Sequence, residues 1–172
     1  MPRTTTDFSQ HELKITASEN LSIHDLRMAD SPLFRVRFIN TCGHLIVDGD
    51  YGTWVFCREF MPSKEGYVSS MYWVEKLQAD STQQAKVFDN NQAVKQVTAL
   101  TISANENGCS EGTDIWLDEL MYAAELSEYE YIAVIMDYPP DIDSEDLPDG
   151  KIVNPRLNII FDAFEEVCRR MI

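Results

Sequence analysis

Over Leu33–Ile39 the apolar residues Phe34, Val36 and Phe38 alternate with Arg35 and Arg37. A period of two predicts a strand with one wet face. Leu45–Asp48 and Thr53–Phe60 read as two further strands, joined by Gly49-Asp50-Tyr51-Gly52. Two glycines in that link supply the positive φ angles of a tight hairpin, so an antiparallel meander is expected over about residues 33–60. Upstream, residues 1–10 read as a frayed terminus, Glu12–Thr16 as a short strand and Ser22–Met28 as a helical turn capped by Ser22.

From Gly66 the period changes. Ser69 or Ser70 can cap a helix with Trp73, Val74 and Leu77 on one face. A second helix is predicted from Asp89 or Asn90 to about Ala104, with Ala93, Val94, Val97, Leu100 and Thr101 as its stripe. After a loop over 105–112, Thr113 is expected to cap a third helix bearing Trp116, Leu117, Leu120, Met121 and Ala124. Tyr129–Met136 is short and rich in β-branched and aromatic residues, which predicts a buried strand. Tyr138–Gly150, with three prolines, is a loop by composition. Asn154-Pro155 then places a cap before proline at the first helical position. Leu157, Ile160, Phe161, Phe164, Val167, Cys168 and Met171 keep helical spacing to the end, and Arg169 and Arg170 complement the helix dipole. Strands followed by helices predict an α+β fold: a meander over about 33–60, plus a strand near 129–136, packed with three to four helices in a single domain spanning 1–172.

With 172 residues, 44% apolar, and 18 Phe, Trp and Tyr, the chain can bury a real core without staples. MPRTTTDFSQ has neither a basic start nor an apolar run, and the longest apolar stretch, Tyr131–Met136, cannot span a bilayer. A cytoplasmic protein with free thiols at Cys42, Cys57, Cys109 and Cys168 is the expectation, with no membrane partner.

Charge changes this picture most. Between Lys95 and Lys151 lie 55 residues with no lysine, arginine or histidine and fourteen carboxylates, concentrated in a strongly acidic segment at 106–150. The rest of the chain holds 14 basic and 15 acidic residues, so nearly all of the net charge of −15 belongs to one third of the molecule. Ordinary composition would place about six basic residues in such a stretch. Exposed helices also normally mix signs, because ion pairs one turn apart add a few tenths of a kcal/mol each. A field of this kind repels nucleic acid and attracts basic surfaces.

Other constellations carry less. Gly49–Gly52 resembles an anion-binding turn, but Asp48 and Asp50 would repel a phosphate and no Gly-Lys-Ser/Thr follows, so a plain hairpin is expected. Asp141, Asp143 and Glu145 alternate like the start of a calcium loop, yet Asp146 stands where glycine is required and Ile152 where a bidentate glutamate is. Cys42, His44 and Cys57 could meet as three zinc ligands if their strands pair, although a small core residue suffices at position 57. His11, His24 and His44 are dispersed, and fourteen acids in 55 residues single out no catalytic pair. No catalytic residue, metal ligand or cofactor is assigned.

The run Gly43-His44-Leu45-Ile46, then Gly49-Asp50-Tyr51-Gly52-Thr53-Trp54-Val55-Phe56-Cys57-Arg58, resembles a segment of small uncharacterised proteins encoded by phages and prophages. Those proteins carry a turn of the form GD-x-GT-x-VF-x-R, and the match spans about 20 of the 172 residues. The resemblance implies a mobile-element origin and action against host systems. With the charge pattern, the expectation is an inhibitor of anti-CRISPR or anti-restriction type. It would dock on a basic, nucleic-acid-binding surface of a host defence protein and mimic nucleic acid without binding it. The residues expected to form that face are Asp118, Glu119, Glu125, Glu128, Glu130, Asp141, Asp143, Glu145, Asp146 and Asp149, with Tyr129, Tyr131 and Tyr138 as neighbouring aromatics, Tyr131 being also a candidate for the core. A homodimer is compatible with this reading. The alternative is a small hydrolase using a carboxylate-bound metal, which would require several of the same acids to converge in a cleft.

Overall fold

The structure, a computed structural model, describes residues 5–62, 69–80 and 85–171. The change of period at Gly66 falls outside these residues. The protein is α+β. In chain order the elements are strands β1 (His11–Ser18), β2 (Leu21–Met28), β3 (Val36–Thr41), β4 (His44–Gly49) and β5 (Trp54–Phe56), helix α1 (Ser70–Lys76), and strands β6 (Leu77–Asp80) and β7 (Lys86–Phe88). Helices α2 (Asn90–Asn107), α3 (Glu111–Leu126) and α4 (Glu128–Met136) follow, then a 3₁₀ turn at Ser144–Asp146, strand β8 (Lys151–Val153) and helix α5 (Pro155–Met171). The chain divides into two compact units, residues 1–85 with 153–172, and residues 86–152.

The first unit is a six-stranded antiparallel meander, β1 to β6 in sequence order, packed with α5. The expected hairpins are present. Val36, Phe38, Leu45, Val47, Trp54 and Phe56 alternate inward on β3, β4 and β5. Cys42 and Gly43, with φ of 50° and 79°, make the two-residue turn between β3 and β4. On the outer face the Arg35 guanidinium binds Asp25 through two bonds of 2.8 and 2.7 Å, and Arg37 pairs with Asp48.

Several expectations for this unit need correction. Ser22–Met28 is not a helical turn but most of β2, which is laddered on both sides by β1 and β3. The Ser22 hydroxyl accepts from the Asn40 amide at 2.9 Å instead of capping a helix. The third strand begins at Val36, because Phe34 takes φ 62° and turns outward. The strand after the glycine link ends at Phe56 and not at Phe60. The buried Asn40 side chain holds the Phe60 amide at 2.7 Å and so fixes the segment that follows. Leu77 does not extend the Ser69-capped helix but opens β6 at the edge of the sheet.

The core of this unit is aromatic. Phe164 on α5 stacks on Trp73 of α1 with centroids 4.7 Å apart, and it lies 4.6 Å from Phe38 and 4.5 Å from Phe60. The helix starts as its sequence predicts, with the Asn154 Oδ1 accepting from the Arg156 amide at 3.0 Å.

The second unit packs α2, α3 and α4 around Ala93, Val97, Trp116, Leu117, Leu120, Ala124, Tyr131 and Ile142. The third helix starts at Glu111, capped by Ser110 and not by Thr113, which is buried in its first turn. The larger correction concerns Tyr129–Met136, which is helical and not a strand. Ser127 caps α4, its hydroxyl accepting from the Glu130 amide, while the Glu130 carboxylate reaches back to that same hydroxyl. Ser-x-x-Glu is a capping-box sequence, and it outweighs the β propensity of the residues that follow. Tyr131, Val134 and Ile135 then reach the core at helical spacing.

Phe164→Ala should remove the side chain shared by Trp73, Phe38 and Phe60, and destabilise the protein by roughly 3–5 kcal/mol. Denaturant unfolding of the purified variant reads this directly. An unchanged midpoint would show that the aromatic cluster does not close this core.

Candidate functional site

The second unit holds fifteen carboxylates and three lysines in residues 86–152, a net charge of −12 against −3 for the other unit. Its core is wholly apolar apart from hydrogen-bonded Thr113. That division follows from desolvation, since an unpaired buried carboxylate is far too costly to keep. All ten acids expected on a binding face are in this unit, and nine are exposed. Glu128 is half-buried because it pairs with Lys151 at 3.1 Å.

The ten do not act alike. Asp118, Glu119 and Glu125 project from α3 away from the Trp116–Leu120–Ala124 stripe. Glu145 and Asp146 stand on the 3₁₀ turn. These five make no side-chain ion pair with a described residue. The others have structural work. Glu130 completes the cap of α4, and Asp143 accepts from the Glu145 amide at 3.0 Å at the start of the 3₁₀ turn.

Asp141 accepts from the Ser110 amide at 3.2 Å and the Thr113 hydroxyl at 2.8 Å, which ties the acidic loop to the start of α3. Hydrogen bonding by Ser110, then by Thr113, holds its carboxyl below the usual range. Asp149 is held by Lys86 at 3.5 Å, Gln96 at 3.2 Å and the Lys151 amide at 3.0 Å. Burial raises its pKa, but those partners outweigh it and the net direction is down.

The aromatics separate as well. Tyr129 is 81% exposed and Tyr138 is exposed, whereas Tyr131 belongs to the core, its hydroxyl donating to the Pro148 carbonyl at 3.2 Å. Apolar residues of α3 and α4 are exposed as well: Ile115, Tyr122 and Leu126 on α3, and Ile132 and Met136 on α4. The signal for α4 was available, because a nine-residue helix apolar on nearly every side cannot bury all of them.

Electrostatics at the helix ends point the same way. The last turns of α2, α3 and α4 contain no basic residue, and α3 ends with Glu125 close to its negative pole. In the other unit α1 ends with Lys76 and α5 with Arg169 and Arg170, the usual complement to the dipole. The second unit therefore forgoes stabilisation that the first one uses.

The remaining candidate chemistry resolves into structure. Among the described residues no group of three His, Cys, Asp or Glu is placed to hold a metal ion, and both Cys42 and Cys57 are exposed. Of the two acids that open the calcium-like run, Asp141 anchors the loop to Ser110 and Thr113 and Asp143 caps the 3₁₀ turn. In the Gly49–Gly52 turn the Asp50 and Gly52 amides bond to the Arg35 and Gly49 carbonyls, so they are not presented to an anion. Gly49 is required there: a Cβ would come within 2.0 Å of the Arg35 carbonyl oxygen. The Cys109 thiol lies 3.0 Å from Asp114, whose hydrogen bond pushes its pKa up and keeps it protonated. No described helix is long and apolar enough to cross a membrane. Comparison with protein-family models, curated proteins and solved structures returns no match.

Asp141→Asn should lower the thermal midpoint, because Asp141 anchors the loop to α3, whereas Glu145→Gln should leave it unchanged. The Asp141 carboxyl has a depressed pKa in the folded protein. Its contribution is therefore complete above the unfolded value near 3.8 and is lost as pH falls through the lower folded value. The gap between wild type and Asp141→Asn should narrow in thermal melts taken from about pH 5 down to about pH 2. A gap independent of pH would assign the effect to something other than the charge.

Proposed function

We propose that residues 86–152 are an acidic docking unit, which engages a basic surface of a protein partner in the place that nucleic acid would take. The observation that carries this reading is the confinement of −12 of the −15 net charge to one compact unit whose carboxylates face outward. Five of the ten acids on the face have neither an ion pair nor a side-chain hydrogen bond with a described residue, so their charge is available to a partner. Their role is electrostatic: the field accelerates encounter, and arginine or lysine groups then form charge-assisted hydrogen bonds to them. The hairpin's resemblance to phage and prophage proteins directs the choice of partner to a nucleic-acid-binding defence protein, such as a CRISPR effector or restriction enzyme. The unit's own field repels phosphates, so the chain acts on the protein and not on its nucleic acid.

The test is inhibition of purified restriction enzymes and CRISPR effectors, scored as DNA binding and cleavage with and without the chain. Inhibition should weaken steeply from about 50 to about 500 mM salt, as the Debye length falls below about 5 Å. Replacing Asp118, Glu125, Glu145 and Asp146 together by their amides should leave the thermal midpoint in place and slow association roughly tenfold. Binding that is indifferent both to salt and to this quadruple change would move the contact to the nearly neutral unit and overturn the reading.

A further inference from the structure

Helices α3 and α4 lie side by side in the acidic unit, and an open groove of about 430 Å³ runs between them. Ile115, Trp116 and Glu119 line it from α3, and Ala133, Val134 and Asp137 from α4. Both helices also expose apolar side chains outside the groove. Tyr122 at 66% and Leu126 at 51% exposure stand on α3, and Tyr129 at 81%, Ile132 at 46% and Met136 at 75% on α4. Large apolar groups that cluster in this way mark a binding surface, unlike apolar residues scattered singly. The same two helices and the residue that ends them, Asp137, bring eight carboxylates and no basic residue. Apolar rows flanked by a single sign of charge specify their counterpart.

We infer that the α3–α4 groove seats a basic amphipathic helix of the partner protein. Its apolar face would lie against Ile115 and Ala133, and its lysines or arginines would meet Glu119 and Asp137. The inference rests on the acidic docking reading and locates the contact within it. The occupant follows from three features. The α3 row from Ile115 to Leu126 spans about 18 Å at 1.5 Å per residue, the length of a three-turn helix. Exposed side chains at helical spacing on both walls offer ridges and grooves to another helix, and neither wall presents a free strand edge. Seven of these eight carboxylates, all but Glu128, make no ion pair with a described residue and favour positive charge opposite them. A second copy of the chain would bring eight more negative charges to the same place, and an anionic bilayer is repelled for the same reason.

The probe is a synthetic peptide of about 14 residues, with leucine at i, i+3, i+4 and i+7 and lysine elsewhere. A permuted peptide of identical composition, unable to segregate its faces, is the control. Titrated into the full chain at about 100 mM salt, the amphipathic peptide should bind roughly tenfold tighter than the permuted one. Ile115→Ser with Ala133→Ser should remove that advantage while the salt dependence persists. Glu119→Gln with Asp137→Asn should lower both the affinity and its dependence on salt. All four side chains are exposed, so the thermal midpoints should match wild type.

Equal affinity for the two peptides, still sensitive to salt, would overturn the groove and leave the acidic docking reading standing. Failure of either peptide to bind at any salt would remove both. A wild-type dimer in sedimentation that Ile115→Ser dissolves would make the occupant a second copy and overturn the inference.

Discussion

A carboxylate cannot be buried without a partner, and residues 86–152 contain almost no partners to offer. Three lysines face fifteen acids. Two of the three are placed where the unit starts and finishes, Lys86 on Asp149 and Lys151 on Glu128. The remaining acids must therefore point outward, and the interior must be assembled from alanine, leucine, valine, tryptophan and tyrosine contributed by three helices. Apart from Lys86, the side chains that pin the acidic loop are neutral: Ser110 and Thr113 for Asp141, Gln96 for Asp149. Hydrogen bonds from amides and hydroxyls position the chain while leaving its net charge intact. The stability forgone at the ends of α2, α3 and α4 belongs to the same arrangement.

The first unit solves the opposite problem. With charges nearly balanced, it can place ion pairs on the outer face of its sheet, as at Arg35–Asp25 and Arg37–Asp48. Its inner face is filled by rings gathered round Phe164. The Arg170 guanidinium donates to the Phe8 and His11 carbonyls at 2.9 and 2.5 Å, and so anchors the segment that leads into β1 to the end of α5. One unit thus uses charge to hold itself together, and the other keeps charge on its surface.

What could be read from the sequence followed the strength of each local signal. The α5 helix was legible because cap, proline, stripe and terminal arginines all agree. The β3–β4–β5 meander was legible because alternation and turn glycines agree. Tyr129–Met136 was misread because composition and capping disagree: β-branched residues pull one way, the Ser127–Glu130 box the other, and capping prevails once Tyr131 can reach Phe88 and the Pro148 carbonyl. Ser22–Met28 was misread because its strand character depends on two neighbours that lie far along the chain. The acidic residues of the candidate site were evident from composition alone. Their division into free charges and structural anchors was not, since Asp141 meets Thr113 only through the fold. The exposed apolar row was hidden because exposure is a property of packing and not of residue type.

The acidic unit is an insertion. The chain leaves the first unit after Ala85 and returns at Val153, where the Asn154 amide donates to the Ala85 carbonyl at 2.9 Å and β7 pairs with β8. During synthesis from the N-terminus, the last strand of the sheet, ending at Asp80, therefore precedes the start of α5 at Pro155 by 74 intervening residues. Over that interval Phe38, Phe56 and Phe60 lack the ring that later sits among them. Closing so long a loop costs only slightly more entropy than closing a short one, but it delays the contacts that repay it. The unit translated in the interval is the one with the greatest charge. Every nascent copy at this stage carries the same −12, and like charge opposes association between copies.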